Sequence, residues 1–189
     1  MKNNNNNFLV NITNIDKTYN FLKTINYPAI IALEGKCGSG KTTLANNLQD
    51  KLDLTIIPID DFFLPPELKT KERLNEIGGN IDYERIFQLL EKIQSGKALS
   101  YKKYDCKQNI YIDKKLDINK TILLEGVYSY HQYFRKFINK LIYLEIDEAL
   151  QMKRLKLRDN YNDYINKWIP LENKYFEKEN IKAKADLII

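Results

Sequence analysis

A chain of 189 residues with 43% hydrophobic and 29% charged side chains can bury one full core and has the balance of a soluble domain. Its formal charge of +5 does not mark a nucleic-acid binder, because Lys and Arg interleave with Asp and Glu and form no basic stripe with interposed aromatics. No apolar run approaches the ~18 residues of a membrane span, the N-terminus has no hydrophobic leader core, and Cys37 and Cys106 make no disulfide framework; a cytoplasmic protein without membrane or nucleic-acid partners is the expectation.

The first residues, Met1 to Asn7, are an asparagine run read as a disordered tip. Leu9, Ile12, Ile15, Tyr19, Leu22 and Ile25 follow at spacings of three and four, which predicts one amphipathic helix over Phe8 to Ile25. Residues 1–24 are therefore expected to be an N-terminal extension and residues 25–189 the domain proper. Pro28 breaks the helix ahead of Ala29-Ile30-Ile31-Ala32-Leu33, a buried strand. A second strand, Leu54 to Ile59, ends in Asp60-Asp61-Phe62-Phe63-Leu64-Pro65-Pro66, where the prolines force a loop. Asp82 opens a helix running to about Gln94, stopped by Ser95-Gly96. The tyrosine-rich alternation from Leu99 to Leu116 predicts a β-hairpin or edge excursion outside the sheet core. Then come a strand at Thr121 to Glu125, a helix over Tyr130 to Asn139, a strand at Leu141 to Ile146 and a basic helix around Lys153 to Arg158. A long helix over Tyr161 to Glu179 follows, with Pro170 able to divide it, and a last strand spans Ala185 to Ile189. Strands alternating with helices specify an α/β sandwich around a five-stranded, mainly parallel sheet.

The segment Gly35-Lys36-Cys37-Gly38-Ser39-Gly40-Lys41-Thr42-Thr43 fits G-x-x-x-x-G-K-[ST] and lies between a strand and a helix, as that pattern requires. Its glycines let successive N–H groups turn onto phosphate oxygens, and the new helix end adds partial positive charge. Lys41 would reach the β- and γ-phosphates, and the Thr42 hydroxyl would hold Mg²⁺. ATP and Mg²⁺ are thus the expected cofactors.

In an open parallel sheet ligands collect at the carboxyl ends of the strands. Three of those ends carry something reactive: the phosphate loop, Asp60-Asp61, and Glu125. A hydroxyl that accepts phosphate needs a base, and Asp60 is the first candidate, with Asp61 second or only a loop carboxylate. Glu125 is the candidate for holding Mg²⁺ through water. Arg154 and Arg158 stand four apart on one helical face, where they either close over a transferring phosphate or form a solvated basic face. Asp82 suits a helix N-cap. His131, alone of its kind, is read as structural, and Trp168 and Pro170 as packing residues.

These residues resemble the uridine kinase group of P-loop kinases, which includes nicotinamide riboside kinase, phosphoribulokinase and bacterial pantothenate kinase; the likeness covers nearly all of Ile30 to Ile189. Asp60-Asp61-Phe62-Phe63 is similar to the family's Asp-x-Phe-[Tyr/Phe], which implies Asp60 as general base and sugar contact and sets Phe63 on the substrate side. The resemblance further implies Asp82 and Tyr104 as substrate-binding residues, with Tyr104-Asp105 in the nucleoside-gripping hairpin, Glu125 in the third-strand Glu-Gly, and Arg154 and Arg158 in a helical lid. Trp168-Ile169-Pro170-Leu171 with Tyr175 is similar to the Trp-Pro segment of nicotinamide riboside kinases. The chain departs from the uridine kinases where they place a His and an Arg that read the pyrimidine: here stand Asn109 and Tyr111. The implied fold is the three-layer P-loop kinase sandwich. The implied reaction is ATP-dependent phosphorylation of a small-molecule hydroxyl, with nucleoside, nicotinamide riboside and pantothenate as acceptors and homo-oligomerisation left open. A GTPase switch would need Asn-Lys-x-Asp, and Asn139-Lys140-Leu141-Ile142 lacks the Asp. A binding module without transfer is the remaining rival.

Overall fold

The computed structural model describes residues 12–26 and 28–189. The asparagine run and the expected first turn of the opening helix lie outside these residues. Helix α1 spans Ile12–Lys23 and buries Ile15, Thr18 and Leu22 along one stripe. Strand β1, Ile30–Glu34, is buried at every position, as expected of a strand covered on both faces. The phosphate loop follows, then helix α2 (Lys41–Gln49), strand β2 (Leu54–Pro58) and a tight turn of 3₁₀ helix over Ile59–Phe62. Short helix α3 (Lys71–Asn75) and helix α4 (Tyr83–Gln94) precede the hairpin strands β3 (Ser100–Asp105) and β4 (Ile110–Lys115). Strands β5 (Thr121–Glu125) and β6 (Lys140–Tyr143) are separated by irregular chain. Helices α5 (Glu148–Leu155), α6 (Tyr161–Asp163), α7 (Ile169–Glu179) and α8 (Ile181–Lys184) lead to strand β7 (Leu187–Ile188).

The main sheet runs β2-β5-β1-β6-β7, with every pairing parallel. Successive side chains of a strand point to opposite faces, so β1 feeds two cores. Ile31 and Leu33 pack under α1 and α2 with Leu22, Leu44 and Leu48. Ile30 and Ala32 face Ile86 and Leu90 of α4, together with Phe134 and Tyr175. The result is the expected three-layer α/β fold with a five-stranded parallel sheet, and β3 and β4 form the expected separate hairpin.

One expectation is corrected. Residues 130–139 do not form a helix; they make successive turns, with only Arg135–Phe137 in 3₁₀ conformation. The spacing of Tyr130, Phe134 and Phe137 suits a helix, but the N–H of Tyr130 is taken by Glu34 Oε1 at 2.9 Å, and Tyr128 enters the segment at a φ of 75°. The helix over Tyr161 to Glu179, which Pro170 was expected to be able to divide, changes pitch just before that proline. Tyr164–Trp168 is a π-helical turn, and Pro170 stands in the first turn of α7. Proline has no N–H for the turn before it, and the ladder widens there.

Candidate active site

The order of the sheet explains why the reactive residues meet. β5 lies between β1 and β2, and Glu125 is level with both Leu33 and Pro58. The chain leaving β1 becomes the phosphate loop, the chain leaving β2 carries Asp60, and β5 ends on Glu125. All three leave the sheet at its carboxyl edge.

They border a cleft of about 320 Å³. From the phosphate loop Cys37, Gly38, Gly40, Lys41, Thr42 and Thr43 reach it, and Asp60, Phe63, Glu125 and Arg158 complete the part expected from sequence. Gly35, Lys36 and Ser39 do not line the cleft. Gly35 has a φ of 148°, and a Cβ there would stand 2.4 Å from the carbonyl oxygen of Leu144, so only glycine fits. Ser39 Oγ is buried without a hydrogen-bond partner.

Lys41 is buried, and its Nζ donates to the carbonyls of Gly35 and Lys36 at 2.7 and 3.0 Å, the second of these being the contact made by Lys36. Thr42 Oγ1 donates to Glu125 Oε1 at 3.1 Å. No side chain caps α2, so its first N–H groups are left for an anion. This cradle fits a polyphosphate, and the Thr42 hydroxyl beside the Glu125 carboxylate fits Mg²⁺, which takes one or two carboxylates in addition to phosphate oxygens. Burial raises the Glu125 carboxyl, opposed by Lys41. Asp60 opens to the cleft but is crowded by protein. That desolvation raises its carboxyl, opposed by Lys41 and reinforced by Asp61.

Asp61 points away from the cleft. Its Oδ2 accepts from the Tyr101 hydroxyl at 2.6 Å and its Oδ1 pairs with Lys103 at 3.1 Å, which ties the hairpin to the 3₁₀ turn. Asp82 caps α4 through the Arg85 N–H at 3.0 Å and pairs with the Arg85 guanidinium at 3.1 Å. It does not line the cleft; Asn80 and Ile81, just before it, do. Tyr104 is buried and donates to Asn109 Oδ1 at 2.5 Å, also outside the cleft wall. Arg85 lies over the Tyr111 ring at 4.9 Å. The two places that diverge from a pyrimidine reader are therefore engaged within the hairpin and its support. Arg154 reaches the loop from behind, donating through Nη1 to the carbonyls of Gly38 and Ser39 at 3.0 and 2.9 Å. Arg158 borders the cleft and donates to the Tyr164 hydroxyl at 2.8 Å.

Sequence reasoning missed four participants. Trp168, expected as a packing residue, walls the cleft beside Phe63, their rings 5.8 Å apart. Glu172 borders the cleft from α7, and its Oε2 accepts the Cys37 N–H at 2.8 Å. Gln151 donates to the Cys37 carbonyl at 2.8 Å. Glu34, fully buried beneath the loop, accepts on Oε1 from the Tyr175 hydroxyl at 2.7 Å and the Tyr130 N–H at 2.9 Å. Burial pushes its carboxyl up to about 7. The Cys37 thiol is raised to about 12 by burial and by Glu172, which makes it a poor nucleophile. His131 is buried and bonded to the Ile77 carbonyl, away from the cleft. Gln151 and Arg154, three apart on α5, hold loop carbonyls, while Glu172 and Tyr175, three apart on α7, hold the opposite side. That spacing was the one signal available for Gln151 and Glu172; Trp168 stood in the Trp-Pro segment already noted, and Glu34 carried none.

Residues 31–182 match the protein family described as AAA domain. A uridine kinase of Ureaplasma parvum serovar 3 is 26% identical over 182 residues, covering 85% of this chain and 88% of that protein. One of Staphylococcus aureus is 25% identical over 180 residues, covering 85% and 86%. A solved structure described as a possible uridine kinase from Bacillus stearothermophilus superposes with a TM-score of 0.73 at 20% identity, over 94% of this chain and 98% of the other. A solved structure described as a fructose transport system kinase from Silicibacter sp. TM1040 superposes at 0.66, also at 20% identity, over 93% and 98%. Among the described residues no helix is long and apolar enough to cross a membrane.

Proposed function

Because the chain belongs to the AAA domain family, with a phosphate loop at the edge of a kinase-like sheet, we propose that it is an ATP- and Mg²⁺-dependent kinase of a small-molecule hydroxyl, with the 5′-hydroxyl of a nucleoside as the first candidate acceptor. The observation that carries this reading is the convergence of Lys41, Thr42, Glu125, Asp60 and Arg158 on one cleft. The curated relatives named uridine kinase support it over most of both chains.

The loop N–H groups and Lys41 bind the triphosphate at one end of the cleft. Thr42 and Glu125 would hold Mg²⁺, which when bound would supply charge neutralisation at the phosphates. Asp60 takes the proton of the acceptor hydroxyl as its oxygen bonds to the terminal phosphorus. The bond to the departing ADP oxygen breaks in the same transfer. A base so placed is worth about 10²–10⁴ in rate, and Asp60 must be unprotonated to serve. Arg158 meets the charge of the transferring group. Phe63 and Trp168 add aromatic walls to the cleft, against which a flat heterocycle can pack, and this favours a nucleoside over a sugar. The changed places at Asn109 and Tyr111 keep nicotinamide riboside beside uridine as an acceptor.

Acceptor-dependent ADP release over a panel of nucleosides and vitamins, with Asp60→Asn as the control, tests the reading. One acceptor is expected to stimulate ADP release, and the variant is expected to lose about 10²–10⁴ in kcat while binding ATP as before. Full turnover by the variant would refute Asp60 as the base. ADP release stimulated by no acceptor would leave a nucleotide-binding module.

A further inference from the structure

Asp60 and Glu125 have parts in phosphoryl transfer, but a third carboxylate borders the same cleft. Glu172 is 6% exposed and enters from α7, where its Oε2 accepts the Cys37 N–H at 2.8 Å. A phosphate loop offers its N–H groups to an anion, and here one of them is met by a protein carboxylate. The corner is the terminal-phosphate end. Lys41, the side chain that reaches the β- and γ-phosphates, rests its Nζ on the carbonyls of Gly35 and Lys36, the residues just before Cys37. The other end of the cradle lies towards Thr43, in the first turn of α2. Lys41 and Asp60 both act electrostatically on Glu172, and burial raises its carboxyl. A terminal phosphate and this carboxylate would be like charges in a partly desolvated space, where repulsion is several times stronger than in water.

Glu172 is also joined to the acceptor end. Trp168 lies four residues earlier, in the π-helical turn that runs directly into α7. We propose that Glu172 is a positioning residue that senses the terminal phosphate: its carboxylate holds α7 to the phosphate loop when no nucleotide is bound, and a triphosphate displaces it and shifts the Trp168 wall of the acceptor site. This rests on reading the cleft as an ATP site. Its charge opposes ATP more than ADP, because ADP leaves the terminal corner empty. Once the phosphate departs with the acceptor, Glu172 returns to Cys37.

The test compares the full chain with Glu172→Gln and Glu172→Ala, titrating Mg-ATP and Mg-ADP by calorimetry and following the fluorescence of Trp168, the only tryptophan in the chain. Glutamine keeps an oxygen for the Cys37 N–H and loses the charge. It is expected to bind ATP about tenfold tighter than the unsubstituted protein, with ADP affinity changed by less than about twofold. The alanine variant is expected to gain ATP affinity too, while melting at a lower temperature because the loop has lost its acceptor. Trp168 emission in the unsubstituted protein is expected to respond to ATP and not to ADP. Unchanged ATP affinity in both variants, or an equal gain for ATP and ADP, overturns the proposal. A purely structural contact would leave glutamine neutral and make alanine weaker for both nucleotides. If the unsubstituted protein binds neither nucleotide, it is the ATP-site reading that fails instead.

Discussion

Replacing Glu34 by glutamine removes a charge from beneath the phosphate loop while keeping an oxygen for its two strong donors, the Tyr175 hydroxyl and the Tyr130 N–H. Burial is the largest influence on this carboxyl, raising it from an ordinary 4.5 to about 7 against the pull of Tyr175, Tyr130 and Lys41. The unfolded chain sheds this proton near 4.5 and the folded one near 7. Between those values the unfolded state binds fewer protons, so stability falls as pH rises through the window and levels off above it. At about 1.4 kcal/mol per tenfold in proton affinity, the loss reaches about 3 kcal/mol by pH 8. Glutamine carries no such loss, although its amide N–H₂ meets the Gly35 N–H, which now makes a long 3.4 Å contact with Oε2. Allowing about 1 kcal/mol for that mismatch, Glu34→Gln should be about 2 kcal/mol more stable than the unsubstituted protein at pH 8. The advantage should vanish, or turn to a small deficit, at pH 4.5. For a chain of this length 2 kcal/mol moves the melting temperature by about 4–8 °C. Urea titrations of both proteins at half-unit steps from pH 4.5 to 8 measure the difference. A difference that does not change with pH, or a variant less stable at pH 8, would refute the account of Glu34 as a buried group that gives up its proton reluctantly.

Arg154 and Gly126 bear on the loop and the strand ends. Arg154→Ala removes two charged hydrogen bonds to loop carbonyls and should weaken ATP binding by about 10–100-fold with little change in kcat at saturating ATP. A fall of about 10³ in kcat with affinity intact would instead show Arg154 working on the transferring phosphate. Gly126→Ala places a Cβ 2.8 Å from the Cβ of Ile59 at a φ of 138°, and should cost about 2–4 kcal/mol, seen as a melting temperature lower by about 5–15 °C. An unchanged melting temperature would mean that β5 and the Asp60 turn can separate freely.

The parts of the fold legible in the sequence are those written in local pattern. The run Ile30 to Leu33 and the glycine-rich loop announce a strand and its turn because burial on both faces and positive φ leave compositional marks. The hairpin shows through its alternation. Residues 130–139 misled because aromatic spacing suits a helix equally well when a distant carboxylate captures a backbone N–H. Glu172 and Gln151 stayed hidden for the same reason: they meet Cys37 across 135 and 114 residues of chain, and neither lies in a motif of its own. Glu34 hid inside a strand whose other residues are apolar. Asp82 illustrates the opposite case, since its position suited both a cap and a substrate contact and both of its oxygens meet Arg85.

The hairpin is pinched shut at its base, where the Leu116 N–H donates to the Leu99 carbonyl at 2.9 Å. Everything between those residues leaves the main body and returns to the same point, and its contacts with that body include Tyr101 and Lys103 on Asp61, Tyr101 stacked on Phe62, and Arg85 on the Lys102 carbonyl and the Tyr111 ring. A segment whose ends already touch can lengthen, shorten or be exchanged at little cost in chain closure. The sheet and its phosphate loop keep their register through such a change, because none of their strand pairings passes through the hairpin. The excursion and the nucleotide half are thus coupled mainly at the 3₁₀ turn, so a replacement hairpin must still bring a hydroxyl and a cation to the buried Asp61 carboxylate beside Asp60.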